Sequence, residues 1–265
     1  MRIFLFVFAF LCTSPAFSAT ASGKAWKDFK TSFSYLFQGS YLQFKQKQNL
    51  YYLGAAAPAL WYSFDQDDRI SALSRRKDIP KHIDFVGDMG VFFNLPIAPA
   101  AVYLWARSNE NTHAMQFVLE TFATTYLSLI ESNLISFIPI HDRPDTSGLS
   151  HWETSFRADS SFPSGHIISY AAITLKTFQF YGPYWAIAPM VVTVWASQQR
   201  VMDGKHYLSD VVGGFFLTAL ASEGVRAAAG YSKNHPTYKW LFERNFQVGV
   251  TRHEEAVGPI VSLEF

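Results

Sequence analysis

The chain has 265 residues and a formal net charge of +1 at pH 7, with 49% hydrophobic, 17% aromatic and only 16% charged residues. A net charge so close to zero gives no reason to expect a nucleic-acid partner. The shortage of charged residues indicates extensive burial, either in a protein core or in lipid, and a mean hydropathy of +0.05 leaves that choice open.

The N-terminus is typical of a secretory signal peptide. Arg2 is followed by the unbroken apolar run Ile3–Cys12, and small residues come after it. We therefore predict a cleaved signal peptide over residues 1–20 and an exported protein. An uncleaved anchor helix is the alternative, although the run is short for a membrane span. Cys12 is the only cysteine, so a mature chain would contain neither a disulfide nor a cysteine metal site.

Residues 22–49 mix lysines with aromatic side chains. Lys24 and Lys27, for example, flank Trp26 and precede Phe29. This pattern predicts an amphipathic N-terminal segment at a surface or a membrane interface, with a plain solvated helix as the alternative.

Residues 50–230 form the predicted helical domain, in which apolar stretches alternate with polar breaks such as the charged connection Asp65–Asp84. The stretches are Leu50–Phe64, Val91–Ala106, Ala114–Ile140, His166–Tyr181, Pro183–Ser197 and Tyr207–Ala229. Most are shorter than the roughly 20 apolar residues of a clean membrane span. We favour an all-α, membrane-embedded bundle of about six core helices over a soluble helical domain exported to the periplasm.

Residues 231–265 form a predicted C-terminal tail of different character. Phe246–Arg252 and Pro259–Phe265 alternate apolar and polar residues, and His253–Ala256 and Gly258-Pro259 lie between the two runs. Such alternation around a turn predicts a short β-hairpin.

The string Pro163-Ser164-Gly165-His166 predicts an anion-binding helix start. Pro at a helix start, followed by Ser and Gly, leaves backbone N–H groups aimed at one place, and the helix dipole adds positive potential there. Gly165 permits close approach of the backbone, and His166 is expected in the first turn, facing the anion. Taken alone, the string could also be an ordinary turn before a helix.

A second string contains Arg200, His206 and Asp210. Residues four apart lie on one face of a helix, so Asp210 is expected to orient one ring nitrogen of His206 and expose the other as a nucleophile. The turn residues Asp203-Gly204 are expected to bring Arg200 back beside His206. Taken alone, a His/Asp pair at this spacing is more often a surface capping pair.

Together with Arg143-Pro144, these strings follow one another among apolar helices in an order that resembles the type 2 phosphatidic acid phosphatase and vanadium haloperoxidase superfamily. The resemblance covers residues 50–229. It implies an all-helical bundle with the site between helices. It also implies hydrolysis of a phosphate monoester or diphosphate of a lipid or small molecule, with no metal ion and no other cofactor.

The resemblance further implies a role for each site residue. In the implied catalytic set, His206 attacks phosphorus, Asp210 orients His206, and His166 protonates the leaving oxygen and later activates water. The implied phosphate-binding residues are Arg143, Arg200, Ser164 and Gly165, the last two through their backbone. The expected partners are a lipid phosphate or small phosphorylated substrate and a membrane. The expected location is an inner membrane with a periplasm-facing site, or the periplasm; the oligomeric state stays open.

Two positions depart from the superfamily pattern. Ser136 stands seven residues before Arg143, where the pattern has lysine, and Gln199 stands where it usually has serine. Loss of one such donor typically costs about 2.7–4 kcal/mol of transition-state stabilisation. Either another cation compensates, with His141, Arg157 and Lys205 as the candidates, or the chain is a pseudoenzyme that binds phosphate or headgroups without turnover. A soluble periplasmic acid phosphatase is the further alternative.

Overall fold

The computed structural model describes residues 19–75, 77–144, 160–243, 245–253 and 256–264, so most of the predicted signal peptide lies outside the described residues. The described part is a bundle of nine α-helices followed by two strands. The helices are α1 (Ala19–Leu42), α2 (Gln48–Ser74), α3 (Lys81–Phe93), α4 (Ile97–Ser108), α5 (Thr112–Ile135), α6 (Ile168–Tyr181), α7 (Pro183–Met202), α8 (Leu208–Ala229) and α9 (Pro236–Phe242), and the strands are β1 (Asn245–His253) and β2 (Ala256–Glu264). The predicted all-α helical bundle is confirmed.

Helix α8 is the centre of the bundle and packs against α1, α2, α5 and α6. Around this group, α7 packs against α6 and α3, and α4 packs against α5. Glycines on α8 permit the close crossings. A methyl group on Gly224 would lie 2.3 Å from the Gly39 carbonyl oxygen, so α1 crosses α8 with backbone nearly touching backbone.

Two apolar clusters hold these helices together. One joins α6, α7 and α8 through Tyr170, Ala196 and Val211, among others. The other joins α1, α5 and α8, with Leu36 packed near Leu127 and Val225. Because α1 contributes Leu36 to the second cluster, the predicted segment 22–49 packs against the bundle through one face, while Trp26 and Phe37 on this helix are exposed.

Several element boundaries differ from the sequence prediction. Helix α2 continues to Ser74 and α3 begins at Lys81, so most of the predicted connection Asp65–Asp84 is helical. Its inward face there carries the buried side chains of Ser63, Asp67 and Ser71, each four residues from the next. The buried residues of this stretch are small or polar, and its exposed residues include Asp65, Asp68 and Arg69, so the sequence resembles a charged loop although the helix continues.

The C-terminal residues combine a short helix with the strand pair. On α9, the buried Tyr238 hydroxyl donates a hydrogen bond to Glu223 Oε2 on α8, at 2.5 Å. Strands β1 and β2 pair antiparallel, with Val250 opposite Pro259. Gly258-Pro259 therefore lies inside β2 and not at the break that the sequence suggested.

Among the helices that the structure describes, α8 alone is long and apolar enough to cross a membrane by length and composition. The share of its most apolar stretch that is buried inside the protein is 67%. A core helix of a soluble protein has the same properties, so this helix by itself is weak evidence for a membrane span.

Candidate active site

The predicted site residues lie at one end of the bundle. Helices α5 and α7 end there, at Ile135 and Met202, while α6 and α8 begin there, at Ile168 and Leu208. Each site residue therefore lies in a helix terminus or in the short segment next to one. The termini of four helices thus bring together site residues that lie up to 67 positions apart in the sequence, from Arg143 to Asp210.

His206 and Asp210 form a buried pair. His206 Nδ1 lies 3.3 Å from Asp210 Oδ2, and both side chains are fully buried. The pairing agrees with the predicted contact, but the two residues do not share a helical face. His206 precedes α8, and the Tyr207 N–H donates to Asp210 Oδ2 at 2.8 Å. This bond caps the helix start and leaves His206 outside it.

The turn between α7 and α8 brings Arg200 next to His206. Gly204 has a φ of 71°, a backbone conformation that favours glycine. The chain then reverses, and the His206 N–H donates to the Arg200 carbonyl oxygen at 3.2 Å. The expected proximity of these two residues thus follows from Asp203-Gly204.

His166 faces the second ring nitrogen of His206. Its Nδ1 lies 3.3 Å from His206 Nε2, and the two rings meet at an interplanar angle of 64°. The expected position of His166 in the first helical turn is wrong, since α6 begins at Ile168. His166 lies instead in the turn that leads into that helix.

Ser164 uses its backbone amide within the protein. The Ser164 N–H donates to the Asp210 carbonyl oxygen at 2.9 Å, which ties the loop to the first turn of α8. The predicted phosphate contact through this amide is therefore wrong. The Ser164 hydroxyl is buried and has no hydrogen-bond partner among the described residues. It is therefore the polar group of Ser164 that is available to hydrogen-bond a ligand. For Gly165, also buried beside it, the backbone contact stays a prediction.

Arg143 reaches this end of the bundle through a short pairing of two segments. Asp142 and Ser160 form an antiparallel bridge, and the Ser161 N–H donates to the His141 carbonyl oxygen at 2.8 Å. Arg143, which is half-buried, is the residue after Asp142 and therefore lies beside the segment that leads into Pro163. This pairing brings Arg143-Pro144 close to the string Pro163-Ser164-Gly165-His166.

Arg200 is buried and is held by a neighbour on its own helix. Its Nε donates to Gln199 Oε1 at 2.5 Å, and its Nη2 lies 3.6 Å from the exposed Asp88 on α3. Gln199 Nε2 in turn donates to Asp84 Oδ1 at 3.2 Å. The departure at Gln199 therefore places a hydrogen-bonding side chain between Arg200 and α3.

Ser136, which stands where the superfamily pattern leads one to expect a lysine, is fully buried at the end of α5. Its hydroxyl donates to the Asn133 carbonyl oxygen at 2.7 Å, a bond within the same helix end. Of the candidate compensating cations, Arg157 lies outside the described residues. Lys205 is half-buried in the turn before His206, where its N–H donates to the Arg200 carbonyl oxygen at 3.1 Å.

Asp67 joins the site although it was not among the predicted residues. Its side chain is 3% exposed, whereas that of Asp68 is exposed. The Ser209 N–H donates to Asp67 Oδ1 at 2.9 Å, and His141 Nδ1 lies 3.7 Å from Asp67 Oδ2. The four-residue spacing of Ser63, Asp67 and Ser71 is the sequence signal that could have indicated burial.

Comparison with known proteins identifies the same region. A family model described as the PAP2 superfamily matches residues 117–232, which include all seven predicted site residues. No curated protein matches the chain. A solved structure, that of the first transmembrane PAP2 type phosphatidylglycerolphosphate phosphatase from Bacillus subtilis, is similar with 22% identity and a TM-score of 0.46. That similarity covers 68% of this chain and 92% of the other.

Proposed function

We propose, from the match of residues 117–232 to the PAP2 superfamily model, that this chain is a metal-independent phosphatase that hydrolyses a lipid phosphate or diphosphate through a phosphohistidine on His206. The observation that carries the proposal is the pair of contacts on the buried His206 ring. Nδ1 lies 3.3 Å from Asp210 Oδ2, and Nε2 lies 3.3 Å from His166 Nδ1. A nucleophile needs one nitrogen fixed by a carboxylate and the other directed at an acid–base partner.

The reaction has two halves. In the first, the lone pair on His206 Nε2 attacks phosphorus, the bond from phosphorus to the leaving oxygen breaks, and His166 gives that oxygen its proton. Asp210 accepts the hydrogen bond from Nδ1–H and stabilises the positive charge on the ring. In the second, water attacks phosphorus and gives a proton to His166, the phosphorus–nitrogen bond breaks, and inorganic phosphate leaves.

The remaining site residues stabilise charge on the phosphate oxygens. Arg143 and Arg200 supply charge-assisted hydrogen bonds, which are stronger than neutral ones. The backbone of Gly165 and the hydroxyl of Ser164 add neutral donors. Donors fixed in place before the reaction cost no reorganisation as charge develops in the transition state.

The distribution of side chains supports a lipid substrate and a membrane location. The exposed fractions of Phe37, Trp61 and Tyr184 are 70%, 77% and 77%, whereas Glu120 and Lys176 are fully buried. Large exposed apolar surfaces mark membrane or protein contacts, and a polar interior is usual for helices packed in lipid. The site lies at helix ends, where a membrane bundle meets headgroups and water. Because the predicted signal peptide directs the chain out of the cytoplasm, we infer that this end faces the periplasm.

The substitution His206→Ala tests the reaction. We expect the purified chain to release inorganic phosphate from phosphatidic acid or an isoprenyl diphosphate, and His206→Ala to lower the rate by at least roughly 10³-fold because the nucleophile is lost. His82→Ala, on an exposed histidine of α3, is the matched control and should retain the wild-type rate.

A second candidate is binding without turnover, which Ser136 favours because its hydroxyl is committed to a bond inside α5. In that case wild type and His206→Ala would be equally inert across lipid and soluble substrates, while inorganic phosphate would still bind. That outcome would overturn the phosphatase proposal in favour of a phosphate- or headgroup-binding pseudoenzyme.

A further inference from the structure

His141 lies where the three strings of the site meet. Its carbonyl oxygen accepts hydrogen bonds from the N–H and the hydroxyl of Ser161, at 2.8 and 3.1 Å. Its ring stacks on that of Tyr207, with centroids 3.9 Å apart and an interplanar angle of 14°. Backbone and ring are therefore fixed by different segments, one before Pro163 and one at the start of α8.

One ring nitrogen of His141 faces two buried carboxylates. Nδ1 lies 3.7 Å from Asp67 Oδ2 and 3.7 Å from Asp210 Oδ1, both ion-pair distances. It also lies 3.4 Å from the Ser209 hydroxyl. The side chains of Asp67 and Asp210 are 3% and 0% exposed, so water contributes little to neutralising them.

The surroundings favour the charged form of this imidazole. Interaction with Asp210 raises the pKa of His141; partial burial opposes this shift, and Asp67 and the exposed Asp68 reinforce it. Two carboxylates close to one cation can both stay ionised, whereas without the cation their mutual repulsion favours protonation of one. Protonated His141 thus keeps Asp210 available as an acceptor.

The two oxygens of Asp210 serve different partners. Oδ2 accepts from the Tyr207 N–H and faces His206 Nδ1, at 2.8 and 3.3 Å. Oδ1 faces His141. A carboxylate held by both oxygens cannot rotate away from His206 without losing an ion pair.

We infer, on the basis of the proposed phosphohistidine mechanism, that protonated His141 is a positioning residue for His206, which it fixes by holding the second oxygen of Asp210. Asp67 completes the arrangement by holding His141 from the other side. His206 is thereby kept as the tautomer with hydrogen on Nδ1 and a lone pair on Nε2. The positive charge of His141 is committed to two carboxylates and does not replace the missing lysine at the phosphate.

The ring spectra of ¹⁵N-histidine-labelled full-length chain in detergent test this directly, with signals assigned by single substitutions. In wild type near neutral pH, we expect His141 to carry protons on both nitrogens and His206 on Nδ1 alone. In His141→Gln, the Nε2-protonated form of His206 should become populated. His141→Phe, which keeps an aromatic ring against Tyr207 without the charge, should do the same, and His82→Ala should change neither ring.

Two spectral results would overturn the inference. One is a neutral His141 at pH about 6.5, where a free histidine is half protonated. The other is a His206 spectrum that is the same in wild type and in both His141 variants. These spectra need no turnover, so they decide the role of His141 even if no substrate is hydrolysed, a failure that would count against the proposed function alone.

Kinetics supply the second readout. We expect His141→Gln to lower kcat by about 10- to 100-fold, as substitutions of residues that orient a functional histidine do, with KM nearly unchanged because His141 does not touch the substrate. A rise in KM at unchanged kcat would instead place His141 in substrate binding and contradict a positioning role.

The stability difference between wild type and His141→Gln should depend on pH. The pKa of His141 is raised in the folded state above its unfolded value of about 6.5. Its stabilising effect is therefore fully present below pH about 6.5 and is lost as the pH rises through the folded pKa. Unfolding midpoints measured across this range should converge at alkaline pH, and a constant difference would argue against a protonated His141.

Discussion

At the scale of single residues, Gln199 determines how Arg200 is presented. Gln199 is 1% exposed, accepts a hydrogen bond from Arg200 Nε and donates one to Asp84 on α3. A methyl group on Gly87 would lie 2.3 Å from the Gln199 side chain, so α3 has a glycine where this glutamine needs room. Gly87 and Gln199 therefore fit each other, and the departure from serine at position 199 is part of the site's construction.

The substitution Gln199→Ala should weaken the handling of phosphate. Hydrogen bonds to charged groups contribute about 1.5–3 kcal/mol, so we expect kcat/KM to fall by roughly 10- to 100-fold as the guanidinium loses its fixed orientation. Ser197→Ala, on the same helix and bonded only within it through its hydroxyl, is the matched control. Equal kcat/KM for the two variants would show that Arg200 does not depend on Gln199.

What the sequence predicts at this scale depends on whether a contact is local. The His206–Asp210 contact is predicted by their spacing, although it forms across the start of α8 and not along one helical face, and the Arg200–His206 contact follows from Asp203-Gly204. The role of Asp67 does not, because its partner Ser209 is 142 positions away. In the run Asp65-Gln66-Asp67-Asp68, only the packing of α2 against α8 separates the buried carboxylate from the exposed ones.

At the scale of elements, two adjacent glycines let the Pro163–His166 loop rest directly on α8. A methyl group on Gly214 would lie 2.6 Å from the Ser164 carbonyl oxygen, and one on Gly213 would lie 2.3 Å from the Phe162 ring. The bond from the Ser164 N–H to the Asp210 carbonyl oxygen depends on this approach. The helix that carries Asp210 therefore also fixes how closely the loop that carries His166 approaches it.

The substitution Gly214→Ala should disturb the loop and the site together. The clashing atom belongs to backbone, which cannot turn aside as a side chain would, so we expect a loss of about 1–3 kcal/mol in the free energy of unfolding and a fall in kcat of at least about tenfold. Gly54→Ala on α2 is the matched control, since nothing lies within 4 Å of the added methyl group.

That control should be neutral or slightly stabilising, because alanine favours a helix over glycine by roughly 0.5–1 kcal/mol. If Gly214→Ala behaved like the control in unfolding and in rate, the loop would not depend on close contact with α8.

At the scale of the whole molecule, the described residues bury several charged side chains and expose many large apolar ones. The buried Lys176 Nζ lies 3.0 Å from Glu120 Oε2 and also donates to Gln179 Oε1 and the Ser222 carbonyl oxygen, at 2.8 and 3.0 Å. On the outer face of α7, the exposed residues include Tyr184, Trp185, Ile187 and Val194. Hydropathy averaged along the chain hides this arrangement, which is why composition alone could not choose between the two architectures.

Membrane fractionation tests that arrangement. We expect the full-length chain to stay with membranes through an alkaline carbonate wash and to be released by detergent, because the exposed apolar side chains would otherwise face water. A soluble periplasmic protein from the same cells is the control and should be released by the wash. Release of this chain alongside it would support the soluble periplasmic phosphatase.

The bridge between Asp142 and Ser160 has an evolutionary consequence. Because the chain is joined at these two positions, Arg143 and Ser164 are held near each other by contacts between described residues, and not by the stretch of sequence that separates them. Natural variation in the length of that stretch can therefore accumulate without moving Arg143 away from Ser164.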